Sequence, residues 1–310
     1  MPRPRPLPPQ LPRHFSVSAA TRLGVTPARL RASDLEAPFH GIRSSDAVGS
    51  MTLVERCLAY APRLKPGQFF SHETALALLG ISTPEWPYTP GIHVSAYRPA
   101  REPRTRGVIG HRLQTRSPAI VPGPLGLPVE NPVRAWRQCG ALWALDDLVA
   151  AADALLSGRP QIAEIDDLRS EIHEMGDVRG GILREAVSLA QPGVRSPRET
   201  RLRLLLARNG LPAPEVNADI FDARGVFIAE IDLAFPGWMV AVEYDGRVHA
   251  EDERQFARDA DRWAAIQAAG WDHVRILKHH FRDGGAPAVA LTRAALVRAG
   301  WRPGLTARTD

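Results

Sequence analysis

Hydrophobic positions along this chain follow two periods, one typical of helices and one typical of strands. Apolar residues recur at helical spacing over 145–156, whereas 225–235 and 238–245 are apolar on both faces, as buried strands are. The pattern predicts, in order over the last third, a helix at 196–208, strands at 214–221, 225–235 and 238–245, a helix at 252–269, a strand at 272–277 and a helix at 286–299. This order indicates a mixed sheet flanked by helices, so the expected fold class is α/β in the broad sense (α+β).

Changes in composition divide the chain into five expected segments. A Pro/Arg-rich arm too poor in apolar residues to fold is followed by a small helical unit, a mixed α/β domain, a fairly acidic helical connector and the strand-rich carboxyl-terminal domain. The corresponding ranges are 1–12, 13–48, 49–160, 161–194 and 195–310.

The small helical unit has the spacing of a helix-turn-helix. One short helix ends near Gly24, and Thr26 and Pro27 are a good cap and first-turn pair for a second helix through Leu35. Residues 39–43 are a candidate wing strand, which would make the unit winged-helix-like. Helical hairpins are also common in proteins that never contact DNA, so the spacing leaves both interpretations open.

Composition narrows the class of protein. The chain has 310 residues, 44% of them hydrophobic, which is long enough for two or three compact units. We find neither an apolar run of bilayer length nor a signal-peptide core, and therefore expect a cytoplasmic protein with no membrane partner. Cys57 and Cys139 lie far apart, so we expect two buried thiols rather than a disulfide or a zinc site.

The net charge of +5 is concentrated locally. Between residues 98 and 116 the arginines include Arg98, Arg101, Arg104 and Arg106, against the single acid Glu102. Such a field attracts phosphates, and DNA is the expected partner. The alternative is a solvated loop between two strands.

Four acids fall on adjacent predicted strands. Alternation places Glu230 and Asp232 on one face of their strand, and Glu243 and Asp245 on one face of the next. Clustered negative charge within a covered sheet is costly unless a cation compensates it, and Mg²⁺ (or Mn²⁺) prefers carboxylate oxygen. We therefore predict that Asp232 and Glu243 bind the metal, whereas Glu230 fits an exposed acid paired with arginine.

Three further features have two interpretations each. Glu199 either closes a capping box with Ser196 or points towards the metal. His249 is either a general base for an attacking water or an exposed loop residue. Arginines recur every fourth residue of the long helix and either hold phosphates or pair with nearby acids; they are Arg254, Arg258 and Arg262.

Taken together, the stretches SPRETRLRLLLARNGL, EIDLAF, VAVEYDGRVH and ARDADRWAAIQAAGWDHVRIL resemble the very-short-patch-repair (Vsr) endonucleases of the PD-(D/E)XK nuclease superfamily. The resemblance covers about a third of the chain. It implies a restriction-endonuclease-like fold and Mg²⁺-dependent DNA cleavage. By this similarity Asp232 matches the central metal-binding aspartate, Glu199 the helical acid and His249 the histidine that acts on water. Glu243 and Asp245 stand where the superfamily has its second acid and its lysine.

Two departures qualify the resemblance. Asp245 replaces the lysine, so His249 or Lys278 would have to assist the attacking hydroxide. Arg247 and Val248 replace residues that the mismatch enzymes use for zinc binding and base wedging, so neither property is expected here.

More faintly, residues 15–156 resemble the antitoxin of the abortive-infection type IV toxin–antitoxin systems, in the winged-helix start, SHETALALLGI and DDLVAAADALL. That family binds DNA through its amino-terminal unit. We therefore expect an amino-terminal half that docks on DNA joined to a catalytic domain, with a second copy of the chain as a further candidate partner in a homodimer. The alternative is a DNA-binding regulator or antitoxin whose nuclease fold is inactive.

Overall fold

The computed structural model describes residues 4–47, 49, 51–87, 90–114, 120–158, 160–222, 224–245 and 253–304, and for 253–259 it describes the backbone alone. The described helices are α1 (Val17–Arg22), α2 (Pro27–Leu30), α3 (Leu53–Tyr60), α4 (His72–Leu78), α5 (Pro132–Cys139), α6 (Leu145–Ser157), α7 (Ile165–Met175), α8 (Ile182–Leu189), α9 (Pro197–Arg208), α10 (Glu253–Ala268) and α11 (Ala286–Arg298). The described strands are β1 (His14–Ser16), β2 (Ile42–Ser44), β3 (Gln68–Phe70), β4 (Ile92–Tyr97), β5 (Val108–Leu113), β6 (Ile120–Pro122), β7 (Pro128–Glu130), β8 (Glu215–Phe221), β9 (Phe227–Phe235), β10 (Val240–Asp245) and β11 (Asp272–Leu277).

The fold class is α+β, as predicted, because helices and strands form three sheets, two of them mixed. The chain divides into two compact units. The amino-terminal unit comprises Met1–Trp143 and Asp166–Arg184, and the carboxyl-terminal unit comprises Ala144–Ile165 and Glu185–Asp310. Among the described residues, we find no helix both long and apolar enough to span a bilayer.

The start of the chain packs more than its composition suggests. Leu7 and Leu11, in the arm expected to be disordered, contact a small core that includes Phe15 and Leu30. The expected second helix through Leu35 is shorter, since α2 ends at Leu30. The candidate wing exists as β2, which pairs antiparallel with β1 in the register Phe15↔Arg43.

The main sheet of the amino-terminal unit has five strands in the order β5-β4-β3-β7-β6. Strands β4 and β3 are buried over nearly their whole length, as interior strands of a sheet are. β4 and β5 run parallel, and β3 joins β4 antiparallel and β7 parallel. Helix α7, part of the expected connector, belongs to this unit from Asp166 onwards.

The carboxyl-terminal unit contains a four-stranded sheet in the order β11-β10-β9-β8. β10 pairs parallel with β11 and antiparallel with β9. One apolar cluster joins the sheet to α9 and α11 through residues such as Leu202, Leu233 and Leu296. A second cluster joins it to α10 through Ile266 and Ala241, so helices cover both faces as the pattern predicted.

The structure reassigns helix α6, which the sequence analysis placed at the end of the middle domain. α6 lies in the carboxyl-terminal unit against α9. Three acids of α6 pair with three arginines of α9; the pairs are Asp146–Arg208, Asp147–Arg201 and Asp153–Arg203. The apolar spacing of α6 predicted burial correctly, but its packing partner α9 lies about 50 residues further along the chain, which local spacing does not reveal.

Candidate active site

The predicted acids lie where β9 and β10 separate. The antiparallel pairs run from Val240↔Phe235 to Val242↔Leu233, and the next residues in this register are Glu243 and Asp232. Beyond that point the backbone N–H of Tyr244 donates to Oδ2 of Asp232 at 2.8 Å. The Asp232 carboxylate thus takes a main-chain hydrogen bond at the edge of the ladder.

Asp232 is electrostatically unfavourable as an anion. Burial, together with the nearby charges of Glu199 and Glu243, raises the pKa of its carboxyl to about 7 against the opposing effects of the Tyr244 N–H and Arg262. A carboxyl whose pKa lies near neutral and which feels the charge of two other acids is one that a bound cation would stabilise in its ionised form.

Glu199 is 8% exposed and occupies the first turn of α9. Ser196 caps the helix by accepting from the Glu199 N–H at 3.2 Å, which is half of the predicted capping box, but the Glu199 carboxylate accepts from the Arg195 N–H rather than from that of Ser196. The Glu199 side chain reaches past the cap and accepts from the Arg195 N–H at 2.9 Å and from Nδ2 of Asn217 at 3.1 Å. Capping and proximity to Asp232 therefore coexist in this residue.

Glu243 is 9% exposed and is already paired. Arg262 on α10 forms an ion pair with its Oε1, and Nε2 of His273 on β11 lies 2.5 Å from its Oε2. Arg262 also donates to the backbone oxygen of Glu230 at 3.3 Å. Of the two interpretations given for the arginine stripe, Arg262 follows the pairing with acids, but its partner lies on the sheet rather than on its own helix.

Asp245 and Glu230 are bound by other arginines. Arg275 on β11 pairs with Asp245 and stacks on the Trp263 ring, with its guanidinium carbon 3.7 Å from the ring centroid. Arg195 pairs with Glu230, as expected for an exposed acid. The Asp245 carboxylate is therefore paired with the cation of Arg275.

A basic cleft of about 480 Å³ opens beside Asp245. Its lining combines cationic and aromatic side chains with the ends of two parallel strands. The lining residues are Arg198, Asp245, Leu277, Lys278, His279, Phe281 and Arg282. Lys278, which the sequence analysis named as a substitute for the missing lysine, lies in this cleft.

Several predicted residues fall outside what the structure describes. His249 lies outside the described residues, and the side chains of Arg254 and Arg258 do as well. The role of His249 as a general base stays a prediction. The same holds for the roles of Arg254 and Arg258 in phosphate binding.

Four arginines that the sequence analysis proposed for phosphate binding are exposed; they are Arg98, Arg101, Arg104 and Arg106. Arg101 and Arg104 line a groove of about 570 Å³ that Arg63 and Lys65 also border. Arg104 pairs with Glu102 at 3.1 Å. The arrangement supplies a positively charged surface and is compatible with both interpretations of this stretch.

The metal-ligand geometry contains a feature that the sequence analysis missed. Within the described residues, His72, His93 and His111 form a group that could hold a metal ion. Their ligand atoms all lie within 4.8 Å of one another. Glu199, Asp232 and Glu243 do not form such a group. Burial lowers the pKa of His72 to about 2 and of His111 to about 4, with neighbouring histidine charge adding to the effect.

Two curated proteins of Mycobacterium tuberculosis are similar to this chain. They are the uncharacterized protein Rv2248 of strain H37Rv and the uncharacterized protein MT2308 of strain CDC 1551, each 31% identical over 210 residues, which are 66% of this chain and 72% of the relative. The chain belongs to their family. No family model matches the chain. Membership in this family therefore assigns no activity to the chain, because the names of both relatives state none.

Proposed function

We propose that the carboxyl-terminal unit is a divalent-metal-dependent DNA endonuclease (a phosphodiester hydrolase), related to the Vsr-like endonucleases by the motifs described above. The observation that carries the proposal is the half-buried Asp232 carboxyl beside the buried Glu199 and Glu243; burial, together with the charges of these two acids, raises its pKa to about 7. A protein accepts this cost at functional sites more often than elsewhere.

The donor set fits Mg²⁺ or Mn²⁺ in its chemistry, because all three side chains offer carboxylate oxygens. Asp232 and Glu243 would hold the ion, with Glu199 in support. The chemistry that such an ion would supply is polarisation of the scissile phosphate and a lower pKa for a bound water molecule. Arg262 and His273 already bind the two oxygens of Glu243, so the ion would compete with them for this carboxylate.

The basic cleft supports a polyanionic substrate. Arg198, Lys278 and Arg282 bring positive charge next to Asp245, and Phe281 offers an apolar face. Phosphate contacts of this kind supply sequence-independent affinity for nucleic acid. The groove bordered by Arg63, Lys65, Arg101 and Arg104 gives the amino-terminal unit a comparable surface, in line with its antitoxin-like sequence.

The second candidate is a DNA-binding regulator with an inactive nuclease fold. It is favoured by the pairing of the acids themselves, because Arg262 and His273 bind Glu243 while Arg275 binds Asp245. In either case we expect the protein to act on DNA in the cytoplasm. The homodimer stays a prediction, which a measurement of the molecular mass in solution would test.

Cleavage assays separate these functions. The full chain is incubated with supercoiled plasmid and with single-stranded DNA, in Mg²⁺, Mn²⁺ or chelator, beside Asp232→Asn. Asp219→Asn is the matched control, since Asp219 is an exposed acid of β8 in the same sheet. We expect metal-dependent nicking by the wild type and the control and none by Asp232→Asn. Salt-sensitive DNA binding without cleavage would favour the regulator. A chain that neither binds nor cleaves DNA would refute both functions.

A further inference from the structure

Three histidines from separate elements meet in the amino-terminal unit. His93 lies on β4, His111 on β5, and His72 begins α4. The parallel register places His111 beside Ser95, and His93 is two residues earlier on the same face of β4. The sheet thus holds two of the imidazoles on neighbouring strands, and the start of α4 brings the third to them.

The rings are in direct contact. Nδ1 of His93 lies 2.9 Å from Nε2 of His111, and the ring of His72 stacks on that of His111 with centroids 3.8 Å apart. A single proton serves the two nitrogens between His93 and His111, which fixes the tautomers of both rings relative to each other. The nitrogens therefore face one another rather than diverging into separate hydrogen bonds.

A buried carboxylate orients the central ring from behind. Nε2 of His93 lies 3.5 Å from Oε1 of Glu73, on the side of the ring away from His111. Glu73 is itself fixed, because Nε1 of Trp143 donates to its Oε2 at 3.0 Å and Nε1 of Trp86 does so at 3.3 Å. A carboxylate that holds the outer nitrogen of a histidine is the usual outer-shell partner of a metal-binding imidazole.

His72 is held in a conformation that has a cost. Its φ is 52°, in the left-handed region, and its N–H donates to Oε1 of Gln138 at 3.1 Å. Oγ of Ser71 contacts its Nδ1 at 2.9 Å, so Nε2 is the nitrogen left for a ligand. Backbone strain at a buried polar cluster is characteristic of ligand sites.

We propose that His72, His93 and His111 bind one divalent first-row transition metal ion, with Zn²⁺ as the expected ion. Imidazole nitrogen selects such ions over Mg²⁺ and Ca²⁺, which require oxygen. In a tetrahedral zinc site with Zn–N bonds near 2.0 Å the nitrogens are roughly 3.3 Å apart, so ligand atoms that lie within 4.8 Å of one another would reach this geometry by small movements of the rings. The ion would cross-link β4, β5 and α4. This site is independent of the proposed nuclease.

Metal content is the direct test. The full chain is stripped with chelator, dialysed against Zn²⁺ or against Mg²⁺, and analysed for bound metal per chain by mass spectrometry, beside His111→Gln. His111 is partly exposed, so its replacement is tolerated more easily than that of His93. His40→Gln is the control, because His40 is an exposed histidine of the same unit. We expect one Zn²⁺ and no Mg²⁺ in the wild type and the control, and no Zn²⁺ in His111→Gln.

Two further readouts keep the test decisive if a variant folds poorly. Co²⁺ added to the wild type should produce the visible absorption of nitrogen-ligated, four-coordinate cobalt. Glu73→Gln should weaken Zn²⁺ binding by about 10- to 100-fold without abolishing it, as loss of an outer-shell carboxylate does. A wild type that binds no Zn²⁺ or Co²⁺ would overturn the proposal, as would equal Zn²⁺ binding by the wild type and His111→Gln.

Discussion

Replacing Asp232 with asparagine should stabilise the carboxyl-terminal unit while removing the central residue of its proposed site. Asparagine has nearly the same shape, and its amide oxygen can still accept the Tyr244 N–H. Its amide group is uncharged, so it is not repelled by the nearby charges of Glu199 and Glu243. The substitution therefore removes repulsion and desolvation without creating a cavity.

The magnitude follows from the pKa of Asp232. The difference between about 7 in the folded chain and the ordinary 3.8 corresponds to about 4 kcal/mol as an upper limit. Because the folded pKa is the higher one, the folded chain retains the proton between pH 4 and 7 while the unfolded chain loses it. Wild-type stability thus falls with rising pH in this window, and the full cost is present above pH 7. The advantage of Asp232→Asn should be about 2 to 3 kcal/mol smaller at pH 5 than at pH 8.

Amide hydrogen exchange of β9 isolates this effect from the rest of the chain, because it reports the opening free energy of that strand. Wild type, Asp232→Asn and the control Asp219→Asn are compared in chelator at both pH values. Added Mg²⁺ should protect β9 in the wild type and not in Asp232→Asn, since binding to the folded state stabilises it. A stability difference that is the same at pH 5 and pH 8, or an Asp232→Asn chain less stable than the wild type at pH 8, would refute this reasoning.

Two other substitutions test the ion pairs. Arg262→Gln removes a charge that lowers the pKa of Asp232, so in chelator the pH-dependent loss of β9 stability should extend to higher pH than in the wild type; an unchanged pH dependence of β9 exchange would contradict this role. Arg203→Leu leaves Asp153 buried without its cation and should destabilise the chain by about 3 to 5 kcal/mol in thermal unfolding, whereas Arg169→Ala, which breaks an exposed pair, should shift the transition little. Equal shifts for these two variants would disprove the assigned role of the buried pair.

The carboxyl-terminal sheet was predictable because its signals are local. β9 and β10 are apolar on both faces, and the turn between β8 and β9 contains Asp222, whose side chain accepts from the Arg224 and Val226 N–H groups. The capping role of Ser196 follows from residues three positions apart. Such features depend on short stretches of chain, which a single sequence displays directly.

The parts that were missed depend on distant contacts. Glu243 is bound by His273, thirty residues away, so its pairing could not be inferred from the strand that carries it. His72 and His111 are separated by an intervening strand, and neither lies in a metal-ligand spacing. The one available signal was a histidine in each of the stretches that form β4 and β5, namely His93 and His111. This signal becomes informative only once β4 and β5 are known to be neighbours.

The most direct test of the account is the nicking rate of supercoiled plasmid by Asp232→Asn in Mg²⁺ at pH 8, measured on the same preparation whose stability has been determined. We predict that this variant is more stable than the wild type and does not cleave DNA, while Asp219→Asn cleaves at the wild-type rate. Cleavage by Asp232→Asn at the wild-type rate, or a wild type that does not cleave in Mg²⁺ or Mn²⁺, would contradict the assignment of Asp232 as the centre of a nuclease site.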